Sequence, residues 1–295
     1  MNIVIAGGTG FLGSALVRWL RNDGHTMTVL SRNPRHPNEV QWNPYGSPAS
    51  WIHVLQGADA VINLAGASIA KRWTAAHKRE MWNSRIRSTR TLVEAMKSVP
   101  KMASTLLNAS AVGIYGPRGD EVLTEESAPG SGFLASLCRE WEKEALAVGP
   151  QTRVVLLRSG IALDRDGGAL PQMALPFRFF VGGPIASGRQ HFSWVHRDDW
   201  VSMVSWALTT SGVSGPLNVT APNPVTNREL SRTLGRVLKR PALLPVPEIA
   251  LRVAIGEMAG ELANGQRVFP AKADSLGFAF RYPLLEAALR EIYPS

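Results

Sequence analysis

Residues 2–22, NIVIAGGTGFLGSALVRWLRN, place a short apolar run, a glycine-rich turn and an amphipathic segment in direct succession. Residues 2–6 are apolar and rich in β-branched side chains, a pattern that is typical of a buried strand. After the turn, apolar residues recur at helical spacing, namely Leu12, Ala15, Leu16, Trp19 and Leu20. This stretch therefore predicts a strand, a tight turn and a helix over residues 11–23.

The same alternation continues through the first half of the chain. Further apolar strand patterns lie at residues 27–31, 60–64, 105–110 and 154–158, and helical patterns lie at 75–97 and 134–147. Short apolar strands that alternate with amphipathic helices form a parallel sheet that is covered on both faces. The sequence predicts an α/β fold with a Rossmann-like, doubly wound parallel sheet.

The pattern changes after Ser159. Glycine and proline residues punctuate a region that we predict to be rich in loops, and helical patterns return at residues 199–209, 227–239, 247–262 and 284–292. We therefore expect a Rossmann-like domain over residues 1–160, with some later segments interleaved into it. A smaller, mainly helical C-terminal lobe would occupy residues 161–295.

The composition excludes several classes of protein. With 45% hydrophobic residues the chain is globular rather than disordered, and its single cysteine, Cys138, excludes a disulfide framework and a multi-cysteine zinc site. No stretch approaches the roughly 20 apolar residues of a membrane helix, and the N-terminus has no secretory signal pattern. We expect a cytoplasmic protein with no membrane partner and no bound metal.

The charge balance is basic. The chain has 32 Lys and Arg residues against 23 Asp and Glu residues, which gives a net charge of +9. Attraction to a phosphate-bearing partner would account for the excess, and so would a generally basic, solvated surface. The basic residues are scattered and form no block of like charge, so we expect no nucleic-acid partner.

The turn holds Gly7, Gly10 and Gly13, a GxxGxxG spacing between the first strand and the first helix. This spacing is a variant of the dinucleotide-binding pattern, in which glycines let the backbone approach a pyrophosphate. The N-terminus of the following helix supplies free N–H groups and a partial positive charge for phosphates. The alternative is a glycine-rich turn without a ligand.

The end of the second strand indicates which dinucleotide binds. An NAD site carries Asp or Glu about 20 residues after the glycines. Here Ser31 and Arg32 occupy that place, and Arg32 follows Gly13 by 19 residues. A guanidinium can bind a 2′-phosphate through charge-assisted hydrogen bonds. We therefore predict NADP(H) as the cofactor, with a solvated surface arginine as the alternative.

Several further motifs are distinctive: NLAG at 63–66, RW at 72–73, Glu80, SR at 84–85, LRSG at 157–160, GGPI at 182–185, SGRQ at 187–190, WVH at 194–196 and GQR at 265–267. With the turn, they resemble the extended short-chain dehydrogenase/reductase superfamily and, within it, the atypical epimerase family proteins of the SDR39U1 type with their C-terminal domain. The resemblance covers essentially the whole chain. It implies NADP(H) binding and an architecture like that of a nucleotide-sugar epimerase. The resemblance assigns no substrate; we expect a small polar molecule in the C-terminal lobe, with a sugar derivative as one option.

By this resemblance, the residues that would contact the cofactor are Gly7, Thr9, Gly10, Phe11, Leu12, Gly13, Ser31, Arg32, Leu64, Ala65, Gly66, Glu80, Arg85, Ser110, Gly160 and Ala162. The turn would hold the diphosphate, and Ser31 and Arg32 would hold the 2′-phosphate. The backbone after Ser159 would approach the nicotinamide. From their spacing alone, Glu80 and Arg85 are equally consistent with an ion pair on the surface of one helix.

The resemblance also exposes a missing catalytic pair. Extended short-chain enzymes carry a Tyr-x-x-x-Lys motif, in which the lysine lowers the pKa of the tyrosine and the phenol moves a proton. Here the corresponding positions are Phe133 and Leu137, and neither side chain can move a proton. This departure puts ordinary redox chemistry in question.

Three other side chains are candidates for acid–base chemistry. Ser110 fits the position of the superfamily's active-site hydroxyl, Tyr115 is the one tyrosine close by in sequence, and His196 lies in a segment that is near the substrate in related enzymes. Tyr115 and His196 are also consistent with packing and structural roles. Arg189 is the candidate for contacting a substrate phosphate. Cys138 fits helix packing better than nucleophilic chemistry.

Two functions follow from these residues. The first is an NADP(H)-dependent oxidoreductase or epimerase-like enzyme, in which Ser110 polarises the substrate and Tyr115 or His196 handles protons. The second is a non-catalytic NADP(H)-binding protein with a regulatory or interaction role, which the missing Tyr/Lys pair favours.

Overall fold

The computed structural model describes residues 1–247, 249 and 256–294. The strands in this part of the chain are β1 Asn2–Ala6, β2 Thr26–Ser31, β3 Glu39–Gln41, β4 Ala60–Asn63, β5 Thr105–Ala111, β6 Val122–Leu123, β7 Arg153–Ser159, β8 Ile161–Leu163, β9 His191–Phe192, β10 Trp194–His196, β11 Gly215–Val219, β12 Val225–Thr226 and β13 Arg267–Val268. Seven of them form one sheet in the order β11-β7-β5-β4-β1-β2-β3, and every neighbouring pair is parallel.

The helices of the same part of the chain are α1 Phe11–Asn22, α2 Ala75–Ser98, α3 Phe133–Leu146, α4 Leu170–Arg178, α5 Arg197–Thr209 and α6 Asn227–Leu238, followed by Met258–Ala263, Ala271–Ser275 and Leu285–Ile292. Among the described residues, no helix is both long and apolar enough to cross a membrane. The helix predicted over 247–262 lies partly outside these residues.

Successive residues of β1 point to opposite faces of the sheet and enter two different cores. Ile3 and Ile5 pack with residues of α1 and α5 on one face. Val4 and Ala6 pack with residues of α2 and α3 on the other face. Because the apolar faces of helices cover both faces of a parallel sheet, the predicted doubly wound, Rossmann-like fold is confirmed.

The chain after residue 160 both completes the main sheet and builds a second lobe. Strand β11 lies at the edge of the seven-stranded sheet, beside β7. The remaining short strands pair as β8 with β10, β9 with β12, and β6 with β13. Residues of α4, α6 and the last helix form a separate apolar cluster that includes Phe177, Leu234 and Leu289.

The region predicted to be rich in loops also contains the helix α4 and three short strands, which we did not predict from the sequence. Pro171 occupies the first turn of α4, where proline is tolerated because the first N–H groups of a helix have no partner within it. Leu170, Ala174 and Phe177 are buried, and this apolar face holds the helix against the second lobe. The apolar spacing therefore outweighs the helix-breaking effect of Pro176 within it.

Candidate cofactor and active site

The glycine-rich turn lies where the strand order of the sheet changes direction. From β1 the chain continues to β2 on one side, and it later returns to β4 on the other side. Gly7 has a φ of +81°, and a Cβ atom on it would lie 2.7 Å from the carbonyl carbon of Leu64, just after β4. Open α/β sheets bind ligands in the crevice at such a switch point. The predicted diphosphate turn therefore borders this crevice.

The turn also brings α1 close to β1. The first backbone N–H groups of α1 have no hydrogen-bond partner within the helix. A Cβ atom on Gly13 would lie 2.2 Å from the carbonyl oxygen of Gly7, so only glycine fits there. Gly10 precedes α1 without a side-chain cap, and the first turn of α1 has no acidic residue. Such a helix start is suited to an anion, and the residues present fit a dinucleotide diphosphate.

A groove of about 840 Å³ extends from the turn along the end of β2. Its lining residues are Gly8, Thr9, Ser14, Val17, Arg21, Val29, Ser31, Arg32, Asn33, Arg35, His36, Pro37, Asn38 and Glu39. The one carboxylate in this lining, Glu39, accepts the backbone N–H of Arg35 at 2.8 Å. Arg32 is exposed at the end of β2 beside buried Ser31. The groove thus brings the predicted 2′-phosphate residues next to the turn.

The ends of β4 and α2 form the opposite side of the crevice. The Arg85 guanidinium lies 3.1 Å from the place of a Cβ atom on Gly66 and stacks on the Trp141 ring at 5.1 Å. Burial lowers the pKa of Arg85, which has no carboxylate partner among the described residues. Glu80 contacts His77 at 3.2 Å instead of Arg85. Glu80 and Arg85 therefore do not form the ion pair that their spacing allowed. Arg85 is therefore a half-buried cation, and no carboxylate in the described part of the chain pairs with it.

The ends of β5 and β7 hold a buried polar chain centred on Glu142. Ser110 Oγ donates to Glu142 Oε1 at 2.6 Å. Arg158 donates from Nε and Nη2 to the two oxygens of the same carboxylate, both at 2.9 Å. Ser110 and Arg158 are partners in the register of β5 and β7, which explains why both reach the same group on α3.

Tyr115 continues this chain on the far side of Arg158. Arg158 Nη1 donates to the Tyr115 hydroxyl at 3.0 Å, and the hydroxyl donates to Asn218 Oδ1 at 2.7 Å. Tyr115 is fully buried, and this burial raises the pKa of its phenol. A phenol that is enclosed and bonded in this way links the helical turn that follows β5 to β11. These contacts favour the packing role over the predicted acid–base role.

His196 and Arg189 lie in the second lobe. His196 Nε2 is 2.9 Å from Glu291 Oε2, and its Nδ1 accepts the backbone N–H of Asp198 at 3.1 Å, so the buried imidazole caps α5. The Arg189 side chain is exposed, and its backbone N–H donates to Ser187 Oγ at 3.2 Å. The contacts of His196 are those of a structural histidine.

Apolar contacts fill the positions of the missing catalytic pair. The Phe133 ring packs edge-to-face on Trp73 at 5.5 Å between centroids, and Leu137 is buried. Cys138, on the same helix, is also buried. After β7, a Cβ atom on Gly160 would lie 2.7 Å from the Ser193 carbonyl oxygen, so the predicted nicotinamide segment lies tight against the second lobe.

The sequence matches the NAD dependent epimerase/dehydratase family over residues 3–220. The chain belongs to this family. Residues 246–292 match a second family, described as a domain of unknown function (DUF1731). The match over residues 3–220 includes every strand of the main sheet except the first residue of β1.

Relatives of this epimerase-family chain align with nearly all of it. The epimerase family protein SDR39U1 homolog, chloroplastic, of Arabidopsis thaliana is 42% identical over 99% of this chain and 86% of its own. The crystal structure of human epimerase family protein SDR39U1 (isoform 2) with NADPH has a TM-score of 0.92 and 36% identity, and it covers 99% of both chains. The nucleoside-diphosphate sugar epimerase of Corynebacterium glutamicum has a TM-score of 0.81 and 33% identity over 99% of this chain and 58% of that chain. The predicted SDR39U1-type membership is confirmed, and the human relative holds the cofactor that Arg32 predicts.

Two residues of the buried polar chain, Glu142 and Arg158, were missed as site residues in the sequence of this epimerase-family chain. Glu142 lies four residues after Cys138, on the buried face of α3 with Trp141 and Ala145. Arg158 directly follows the apolar run VVLL within the strand RVVLLRS. Charged residues at such buried positions are rare unless they are paired. That signal was present in the sequence, but it could not show that the two residues pair.

Proposed function

We propose that this chain is an NADP(H)-dependent oxidoreductase of the epimerase type that acts on a small, polar, sugar-derived substrate. The groove beside Arg32 and the NADPH of the human relative support the cofactor. The nucleoside-diphosphate sugar named for the Corynebacterium relative supports the substrate class. When bound, the nicotinamide supplies or accepts a hydride, so the protein has to move the matching proton.

The contact between Ser110 and Glu142 carries this proposal. The Ser110 hydroxyl donates its only proton to the carboxylate at 2.6 Å, and its oxygen, which the Cys138 thiol also contacts, keeps a lone pair for a substrate hydroxyl. Arg158 fixes the orientation of the carboxylate through two further hydrogen bonds. Ser110 lies near the carboxyl end of β5, on the crevice side of the sheet.

The proton path follows from this arrangement. In the oxidative direction, a substrate hydroxyl passes its proton to Ser110 Oγ while Ser110 passes its own proton to Glu142. The carboxylate thereby becomes a neutral acid, and the reductive direction returns both protons. This serine–glutamate relay would replace the tyrosine that the chain lacks, and Arg85 would offer its unpaired charge to the cofactor.

Turnover of NADPH with a panel of nucleotide sugars and carbonyl compounds tests the proposal. We expect Ser110→Ala and Glu142→Gln to lower kcat by about 100-fold or more, the usual size of a lost general base. NADPH affinity, measured in the same variants, separates a lost proton transfer from a lost cofactor contact or a loss of fold. Lys143→Gln is the matched control, because Lys143 is exposed on the same helix and pairs with Glu140. If Ser110→Ala turned over substrate at the wild-type rate, the proposed relay would be wrong. If the wild type turned over none of the substrates, the result would count against an enzymatic function.

A non-catalytic NADP(H)-binding regulator is the second candidate. The specific observation in its favour is the apolar packing of Phe133 and Leu137 where related enzymes carry tyrosine and lysine. NADPH binding without turnover, together with a protein partner whose affinity changes when NADPH is added, would support this function.

A further inference from the structure

Helix α6 carries a row of arginines that no part of the cofactor site uses. Arg228, Arg232 and Arg236 are exposed at every fourth position of the helix, and Arg240 follows just after its end. Side chains four residues apart lie on the same face, and like charges at this spacing destabilise a helix. The row therefore destabilises α6 unless carboxylates of the chain or a bound anion offset its charge.

A groove of about 500 Å³ lies along this row. Besides the four arginines, its lining consists of Pro184, Ala186, Ser187, Ala242, Leu243 and Pro245. None of these residues carries a carboxylate, and the groove shares no lining residue with the groove beside Arg32. Its volume falls within the range of small-molecule sites.

Backbone hydrogen bonds join the two apolar walls of the groove. Ala186 N donates to Val246 O at 3.0 Å, and Val246 N donates to Pro184 O at 2.9 Å. Ala186 has a φ of +49°, a conformation that non-glycine residues rarely adopt. Phe180 and Lys239, the other two non-glycine residues with positive φ in the described part of the chain, also lie beside α6 or its end. One wall residue, Ala186, is thus held in a conformation that is energetically unfavourable for alanine.

The arginines differ in how firmly other residues hold them. Arg228 Nη2 donates to Ser187 O at 2.9 Å, and Arg240 stacks on the Phe180 ring at 4.6 Å. Arg236 pairs with Glu286 of the last helix, which also binds Arg290. Arg232, in the middle of the row, forms no hydrogen bond or ion pair with any residue that the structure describes. In the groove, the guanidinium of Arg232 therefore lies between arginines whose side chains are fixed by contacts with other residues.

We infer that this groove binds an anion that carries at least two phosphate groups, at a site separate from the cofactor crevice. Successive arginines are about 6 Å apart along the helix axis, since each residue rises about 1.5 Å. One phosphate therefore cannot reach the whole row, whereas a chain of phosphates can. Guanidinium groups bind phosphate oxygens through paired, charge-assisted hydrogen bonds.

Tripolyphosphate is the probe for this site, titrated calorimetrically into protein saturated with NADPH. We expect Arg232→Glu to weaken its binding by about tenfold or more, the loss of one charge-assisted contact plus a new repulsion. Glu286→Gln should strengthen binding severalfold, because it frees Arg236. Arg139→Glu is the matched control on exposed α3 surface and should leave the affinity within about twofold.

Three results would overturn the inference. The first is that the wild type does not bind tripolyphosphate. The second is that Arg232→Glu and Arg139→Glu lose the same amount of affinity for it. The third is that NADPH abolishes its binding. Vesicles of phosphatidylglycerol, with phosphatidylcholine vesicles as the blank, identify the source of the phosphates. Arg232-dependent vesicle binding that tripolyphosphate displaces would assign the site to lipid headgroups. Tripolyphosphate binding without vesicle binding would assign it to a soluble phosphate compound.

Discussion

Arg158 on β7 and Glu142 on α3 face each other through two hydrogen bonds, each of 2.9 Å, in the interior of the protein. Their side chains are only 6% and 9% exposed. Ser110 contacts the same carboxylate, and Tyr115 contacts the same guanidinium. Because water screens neither charge, each group depends on the other, and the pair supports both the ends of the strands and the proposed relay.

Removing one member of this pair should destabilise the fold strongly. We expect Glu142→Ala to lower the free energy of unfolding by about 3–5 kcal/mol, since it leaves a buried guanidinium without its counter-charge. Glu140→Ala, two residues away, should cost less than about 1 kcal/mol, because its partner Lys143 is exposed. Urea unfolding of both variants measures the difference. Equal losses would show that the buried pair contributes no more than a surface pair.

Arg32 should determine the preference for NADP(H). We expect Arg32→Ala to weaken NADPH binding by roughly tenfold to a hundredfold and to leave NADH binding nearly unchanged, because only NADPH carries the 2′-phosphate. Fluorescence titration with both cofactors provides the comparison. Arg21→Ala, which removes another arginine of the same groove, tests whether any nearby positive charge suffices. An equal loss for NADPH and NADH would show that Arg32 does not contact the 2′-phosphate.

Gly13 should tolerate no side chain. A Cβ atom there would lie 2.2 Å from the Gly7 carbonyl oxygen, so Gly13→Ala must push α1 away from the turn. We expect loss of cofactor binding and a stability loss of about 1–3 kcal/mol, as for overpacking elsewhere. Gly212→Ala is the control, since a Cβ atom at that exposed position meets nothing within 4 Å. Cofactor titration and thermal melting should separate the two variants.

The single thiol should be inert in the folded protein. Burial, with the nearby charge of Glu142, raises the pKa of Cys138 to about 12. Because the thiolate is the reactive form, we expect no reaction with a disulfide reagent at pH 8, and one thiol per chain after unfolding. The rate in the native state should follow global unfolding rather than pH. Fast labelling of the folded protein would contradict this burial.

The main sheet was predictable because each long element carries its own pattern. The helix predicted over 11–23 is Phe11–Asn22, and the one predicted over 75–97 is Ala75–Ser98. The strands of two or three residues, such as β6 and β9, are too short to have a period, and their pairing comes from contacts between distant segments. The helix α4 was missed because two prolines outweighed its apolar spacing in the sequence.

Some features of the site were likewise predictable from local sequence, and others depend on tertiary contacts. The sequence determined the glycine turn and Arg32, because the backbone demands of a diphosphate and the charge of a 2′-phosphate act on residues that are close together in the chain. Only the tertiary structure paired Glu142 with Arg158, 16 residues apart, and brought Tyr115 to Asn218, 103 residues away. It also separated Glu80 from Arg85 and laid the arginines of α6 along a groove. A side chain's partners depend on packing between elements, and local sequence patterns carry no information about that packing.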